Sequence, residues 1–281
     1  MKMLVTGATG YLGSRLIEYL LSRYEVLAPT HKEMDICDMD SVEKYFEKKY
    51  PEVVIHCAAI SDSGRCEKEP EISYIINVMG AYHLSVAAKK IGAKCILCSS
   101  DQVYFGSKIK TSHKENEVLE PFTVYGRQKL LMERICLQDN ADVVILRLSW
   151  LYDAERKSSN EHGDFLKMFQ ENLKSNKELS YPVYDHRGLT NVNEVVSNIE
   201  KAINLSGGIY NFGAPNDMNF YETMATVTKK LQENKWEIMK NEVAFCDNQR
   251  NICMNIEKIE HRGIYFKSTV DGLIDVIKLL Q

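Results

Sequence analysis

Apolar residues in the first 150 positions fall into short unbroken runs, separated by longer stretches in which they recur every three or four residues. "VVIHCAA", "CILCSS" and "VVILRLSW" are of the first kind, which suits strands covered on both faces in a parallel sheet. The pattern predicts strands at 2–6, 25–29, 52–57, 94–99 and 142–148, and helices at 11–22, 40–49, about 70–91 and 123–138. The long helix carries Ile72, Ile76, Met79, Val86 and Ala87 on one stripe at helical spacing. His83 interrupts that stripe and reads as a packed or partly exposed ring. Regular alternation of strand and helix predicts an α/β fold with a doubly wound parallel sheet.

The first strand ends in "LVTGATGYLG". Gly7 lies just past the strand, Gly10 opens the helix and Gly13 sits one turn into it. A glycine at the turn permits unusual backbone angles, and one at the helix start lets a pyrophosphate approach the backbone. The third lets the helix pack closely, while free N–H groups and the helix dipole favour the anion. Strand, glycine triplet and helix in this order predict a dinucleotide site. An NAD site usually ends its second strand in an acid that holds the ribose 2′-hydroxyl. Thr30, His31 and Lys32 stand there instead, a set that suits a 2′-phosphate and predicts NADP in preference to NAD; a solvated loop is the plain alternative.

From about 151 onward the chain is more polar. "DAERKSSNEHGD" reads as a flexible loop near the site with Gly163 as a hinge. "NEVVSNIEKAINL", "YETMATVTKKLQE" and "STVDGLIDVIKLL" read as amphipathic helices, the last capped by Ser268 with Asp271 three residues on. With no linker in sight, residues 1–150 form the expected dinucleotide-binding domain. Residues 151–281 then form mainly a smaller, interleaved substrate lobe, with about 188–213 returning to the first domain.

Composition alters this picture little. In 281 residues, 44% hydrophobic and 26% charged, the net charge is -4, which argues against nucleic acid or an anionic membrane as a partner. No stretch reaches the roughly 18 apolar residues of a membrane span, and the N-terminal run is too short for a signal peptide; a cytoplasmic protein is expected. Eight dispersed cysteines then read as reduced thiols. Cys95 and Cys98 form a C-x-x-C within a predicted strand, where residues three apart face opposite ways. They cannot readily share a metal, and no metal site is expected.

Candidate chemistry sits at "CSSDQVY" and "YGRQKLLME". Tyr125 and Lys129 share one helix face, and Ser100 ends a strand at the carboxyl edge where parallel sheets bind ligands. A phenol with a pKa of about 10 is a sluggish proton donor. An ammonium about 4 Å away stabilises its anion by roughly 4 kcal/mol at an effective dielectric near 20, which bounds the shift at about three units before lysine desolvation. On its own such a pair is usually a packed ring beside a solvated stem. Its company here, a nucleotide site and a strand-end hydroxyl, points to proton transfer at a carbonyl oxygen.

"TGATGYLG", "SSDQVY" and "YGRQK" in this order resemble the extended short-chain dehydrogenase/reductases, and more narrowly the dTDP-4-dehydrorhamnose reductase branch. "PEVVIHCAAIS", "LRLSWLYD" and "GGIYNFGAPNDMNFYETMA" extend the likeness over most of the chain, thinning after residue 230. The resemblance implies that Tyr125 protonates the substrate oxygen, that Lys129 lowers its pKa and holds the nicotinamide ribose, and that Ser100 bonds the carbonyl. Asp101 and Trp150 would lie beside the sugar. Gly10, Tyr11 and Leu12 would touch the pyrophosphate, Asp35 and Ile36 would flank the adenine, and Ala58, Ala59, Ile60 and Ser99 would line the cofactor. Asn77 also matches the pattern, with packing an equal reading.

The chain departs from the branch at Gln102, Tyr104 and Phe105, and at "YDHRGLTNV", where a proline is absent and His186 replaces glutamine. These changes leave the reductase chemistry plausible but open the identity of the sugar. The leading expectation is an NAD(P)H-dependent reductase of a keto group on a nucleotide-linked sugar. A sugar-nucleotide epimerase or dehydratase shares the apparatus, and a non-catalytic nucleotide-binding subunit resembling the methionine adenosyltransferase beta subunit is a further alternative. Dimers are common for this fold, and a homodimer is one expectation.

Overall fold

Alternate residues of each long strand go to opposite faces of one sheet, and both faces are covered. A computed structural model describes residues 1–155, 157, 164–175, 177–232 and 236–279. Its elements run β1 (Lys2–Thr6), α1 (Tyr11–Leu21), β2 (Glu25–Leu27), α2 (Met39–Lys49), β3 (Val53–His56), α3 (Ser63–Lys68), α4 (Pro70–Tyr74) and α5 (Ala81–Ile91). They continue with β4 (Lys94–Ser100), α6 (Val124–Asp139), β5 (Val144–Leu148), β6 (Trp150–Tyr152), α7 (Phe165–Lys174), β7 (Leu179–Pro182), β8 (Asp185–His186) and β9 (Leu189–Asn191). The last are α8 (Val192–Ala202), β10 (Gly208–Phe212), α9 (Phe220–Leu231), β11 (Ile238–Asn241), β12 (Arg250–Asn251), α10 (Glu257–Glu260) and α11 (Thr269–Leu279).

Six strands form the main sheet in the order β10-β5-β4-β3-β1-β2, every neighbouring pair parallel. Met3, Val5, Ile55, Ile96, Cys98 and Leu146 point into the core beneath α1 and α8. Leu4, Val54, Cys95, Leu97 and Ile145 point into the core beneath α2, α5 and α6. Cys95 and Cys98 therefore face opposite ways, as their spacing requires. The strand order reverses beside β1: β2 lies on one side, and β3, β4, β5 and β10 extend on the other. Crevices at such a switch point, outside the carboxyl ends of the strands, are where open parallel sheets bind ligands.

Two elements differ from the expected pattern. The second strand stops at Leu27, because Pro29 has no N–H to give and the chain then turns, with Glu33 and Met34 N–H donating to the Thr30 carbonyl. The helix expected over 70–91 is interrupted by a π-helical segment, Ile75–Gly80. Its wider turn shifts the phase of side chains, so the expected stripe is buried only in part: Ala87 enters the core, while Ile76, Met79 and Val86 are half-buried. Ile72 is 50% exposed, whereas Val78, Ala81, Leu84, Ala87 and Ala88 enter the core.

The second lobe packs α7, α9 and α11 around Phe165, Phe169, Phe220, Met224, Leu273 and Ile277. Three two-stranded parallel pairs, β6 with β9, β7 with β11 and β8 with β12, complete it. α11 opens as expected, with Asp271 N–H donating to Ser268 Oγ at 3.1 Å. β10, from the second half of the chain, closes the edge of the main sheet against β5. Gly163, the expected hinge, lies outside the described residues.

Candidate active site

Gly7 adopts a left-handed φ of +72° directly after β1, and a Cβ there would stand 2.6 Å from the Ala58 nitrogen. A Cβ on Gly13 would stand 2.1 Å from the Gly7 carbonyl oxygen. The third glycine thus serves close approach of the helix to the glycine turn itself. Gly10 caps α1 without a side-chain hydrogen bond, and the first turn holds no acid. The helix N-terminus is left to an anion. The Leu12 side chain is buried in the core, and Tyr11 packs against the same core. The Tyr11 hydroxyl donates to Asp164 Oδ2 at 2.6 Å, and the Arg15 guanidinium lies 4.2 Å from its ring centroid.

Past β2, Thr30, His31 and Lys32 are exposed. An acid that sequence reasoning overlooked is close by: Glu33 Oε2 accepts from the Thr30 N–H at 2.8 Å and from its hydroxyl at 2.9 Å. Those bonds hold its carboxyl below the usual range and occupy an oxygen that could otherwise meet a ribose hydroxyl. Asp35 Oδ1 accepts from the Cys37 N–H and lies 3.6 Å from the His31 ring. Ile36 packs beside Gly80, where a Cβ would meet it at 2.9 Å, and its carbonyl lies 2.9 Å from His83 Nδ1. Of the strip after β3, Ala58 is half-buried, Ala59 exposed and Ile60 buried. The buried Asn77 amide, within the π segment, pins Ile60 through both its N–H and its carbonyl and donates to Gln128 Oε1 on α6 at 3.0 Å.

Thr123 caps α6 through the Gly126 N–H at 3.1 Å, which sets the helix so that Tyr125 and Lys129 both turn inward; they are 7% and 2% exposed. Lys129 Nζ donates to the Cys98 carbonyl of β4 at 2.9 Å and lies 5.8 Å from the Tyr125 ring centroid. Ser100, the last residue of β4, donates through Oγ to Asp101 Oδ1 at 3.1 Å. Phenol, ammonium and hydroxyl thus gather at the carboxyl end of β4. The charge balance differs from the expected lysine-driven one. Burial pushes the Tyr125 phenol up, the Asp101 charge adds to that, and a hydrogen bond with Ser100 pulls it down. Burial likewise lowers Lys129. Ser99 points away from this group: its hydroxyl donates to Glu133 Oε1 at 2.5 Å, part of a buried network in which Glu133 and Arg147 pair at 2.6 Å.

Facing the same rim are the expected Asp101 and Trp150, with two arginines, Arg187 and Arg250, that sequence reasoning did not single out. Asp101 is 2% exposed, its Oδ2 has no hydrogen-bond partner among the described residues, and burial raises its carboxyl to about 6 against the pull of Arg187 and Arg250. Arg187 lies 4.4 Å over the Trp150 ring; its side chain is 11% exposed and its Nε has no partner among the described residues. Arg250 forks onto Asp185 at 2.7 and 2.6 Å. A largely buried cation, 3.8 Å from Asp185 Oδ2 and with an idle Nε beside an indole face, suits an anionic, ring-bearing ligand. The signal was present, since Arg187 lies inside the "YDHRGLTNV" stretch.

A family model described as the RmlD substrate binding domain matches residues 1–266. The spore coat polysaccharide biosynthesis protein SpsK of Bacillus subtilis (strain 168) is 40% identical over 152 residues, 54% of this chain and 53% of that protein, so the match spans about half its length. A dTDP-4-dehydrorhamnose reductase of Aggregatibacter actinomycetemcomitans is 28% identical over 280 residues, 92% of each chain. In fold, the chain is similar to a crystal structure of the Bacillus anthracis dTDP-4-dehydrorhamnose reductase in complex with NADP, with TM-score 0.84, 24% identity, and coverage of 99% of this chain and 98% of that one. The chain belongs to the family of the RmlD substrate-binding domain.

Proposed function

We propose that this protein is an NADPH-dependent reductase of a keto group on a nucleotide-linked sugar. The observation that carries the reading is the gathering of Ser100, Tyr125 and Lys129 at the end of β4, in a sheet whose β1 ends in an open helix N-terminus. The cofactor's fit rests on this chain's own cradle: the places where a Cβ on Gly7 or Gly13 would collide, the uncapped α1, and the cationic pair His31 and Lys32 with Glu33 turned back on Thr30. When bound, the dinucleotide supplies the hydride. Tyr125 gives the proton to the developing alkoxide, and Ser100 donates a hydrogen bond to the same oxygen. Lys129, held by the Cys98 carbonyl, favours the tyrosinate left behind. Trp150 offers the sugar a flat face, and Arg187 and Arg250 offer its diphosphate two guanidinium groups.

In this reading residues 1–150 with about 188–213 hold the nucleotide cofactor, and the remainder of 151–281 holds the sugar. The location we propose is the cytoplasm, and no helix among the described residues is long and apolar enough to cross a membrane. The assembly we propose is a homodimer, supported by the exposed Ile72 and Ile75 on neighbouring helical turns. The deciding measurement is NADPH oxidation with a panel of keto-sugar nucleotides. Stoichiometric consumption is expected. Sugar conversion without net consumption would instead indicate an epimerase or dehydratase, and no conversion with a co-purifying partner protein a regulatory subunit.

A further inference from the structure

Cys57 directly follows β3 and Cys98 lies in β4, one step beyond the His56–Leu97 pair of the parallel register. In-register neighbours on adjacent strands stand about 4.8 Å apart, inside the roughly 4.4–6.8 Å Cα window of a disulfide. Both side chains lie on the α1 side of the sheet, Cys98 within that core and Cys57 packed against it. The two sulfurs are 3.9 Å apart, so a bond of about 2.05 Å requires them to close by about 2 Å. Cys57 is half-buried and Cys98 buried. A hydrogen bond from Cys57 lowers the Cys98 thiol, and the Lys129 ammonium acts in the same direction.

We propose that Cys57 and Cys98 are a reversible modification site that a peroxide closes to a cross-strand disulfide, and that closure slows the reaction at the neighbouring Lys129. The Cys98 sulfur attacks one peroxide oxygen; an S–O bond forms, the O–O bond breaks, and the departing hydroxide leaves with the Cys98 proton as water. The Cys57 sulfur then displaces hydroxide from Cys98; the S–S bond forms, the S–O bond breaks, and the Cys57 proton accompanies the second water. Two thiols give up two electrons and one peroxide becomes two waters. The bond draws together strand ends that carry the Cys98 carbonyl, the acceptor of the Lys129 ammonium. Displacing that ammonium by even about 1 Å is expected to cost tenfold or more in turnover.

The slowing of turnover rests on the proposed reductase; the modification site does not. The full chain is treated with hydrogen peroxide, alkylated in denaturant, digested and mapped by mass spectrometry. A crosslinked peptide pair containing Cys57 and Cys98, lost on treatment with dithiothreitol and absent in Cys57→Ser and Cys98→Ser, is the expected result. A map in which both cysteines remain alkylated, or carry separate sulfinic acids, overturns the site. Peroxide should also lower wild-type NADPH oxidation, reversibly with dithiothreitol, and the loss should vanish in Cys57→Ser. Undiminished turnover by the crosslinked protein overturns the regulatory half. If the reduced protein turns over no substrate, the reductase reading fails while the map still decides the modification site.

Discussion

At Tyr125 the phenol is buried and shares its surroundings with Asp101, whose charge opposes ionisation, while Ser100 supplies a hydrogen bond that favours it. A proton donor held neutral in this way suits reduction, in which the acid form must be present when the hydride arrives. Tyr125→Phe is therefore expected to cut turnover by about a hundredfold or more, with NADPH affinity changed less than threefold; turnover and fluorescence titration measure the two. Asp101 gives a pH signature. Its carboxyl is raised from 3.8 to about 6 in the folded protein, so the folded state holds a proton that the unfolded chain has released between those values. The burden on stability is absent below pH 4, grows as pH rises to 6 and is constant above, on the order of 3 kcal/mol. Asp101→Asn should raise the melting temperature at pH 7 and leave it nearly unchanged at pH 4. Tyr125, Lys129 and Ser100 could be singled out in the sequence not by the common i, i+4 spacing of the pair but by its company, a glycine-rich nucleotide turn and a strand-end hydroxyl. The orphaned Nε of Arg187 was not, because its setting depends on Trp150 arriving from β6, 37 residues earlier in the chain.

Among the elements, the glycine turn and α1 separate two roles that the triplet alone confounds. A Cβ on Gly13 would lie 2.1 Å from the Gly7 oxygen, whereas one on Gly10 would lie 3.2 Å from it. Gly13→Ala should therefore destabilise the fold, by about 2 kcal/mol, and weaken NADPH binding with it. Gly10→Ala should melt close to the wild type yet bind NADPH at least about tenfold more weakly, because its methyl group stands where the backbone meets the ligand. Melting curves and titrations on both variants check the pair. Most of the elements expected up to residue 148 could be read because unbroken apolar runs, buried on both faces, alternate with stretches of 3.6-residue period. The π segment could not. No residue in "IINVMG" announces a wider turn; what holds it is the buried Asn77 amide gripping Ile60 and Gln128, contacts 17 and 51 residues away in sequence.

For the molecule as a whole, buried bonds tie the two lobes together. Arg15 of α1 meets Asp153 at 2.5 Å with both side chains nearly sealed from water, and Tyr11 reaches Asp164, which caps α7. Removing one partner of such a pair typically costs about 3–5 kcal/mol, so the lobes should melt as one. The second half of the chain returns one strand to the main sheet, inside the 188–213 stretch expected to come back. That strand is β10, seated on β5, and its return limits how the chain can be divided. A truncated product ending near residue 150 keeps β5 but leaves its outer margin bare, a row of unpaired amides and carbonyls open to the next molecule. Such a fragment is expected to self-associate on light scattering. Supplying the missing piece in trans, as a polypeptide spanning residues 151–281, should restore a discrete soluble species.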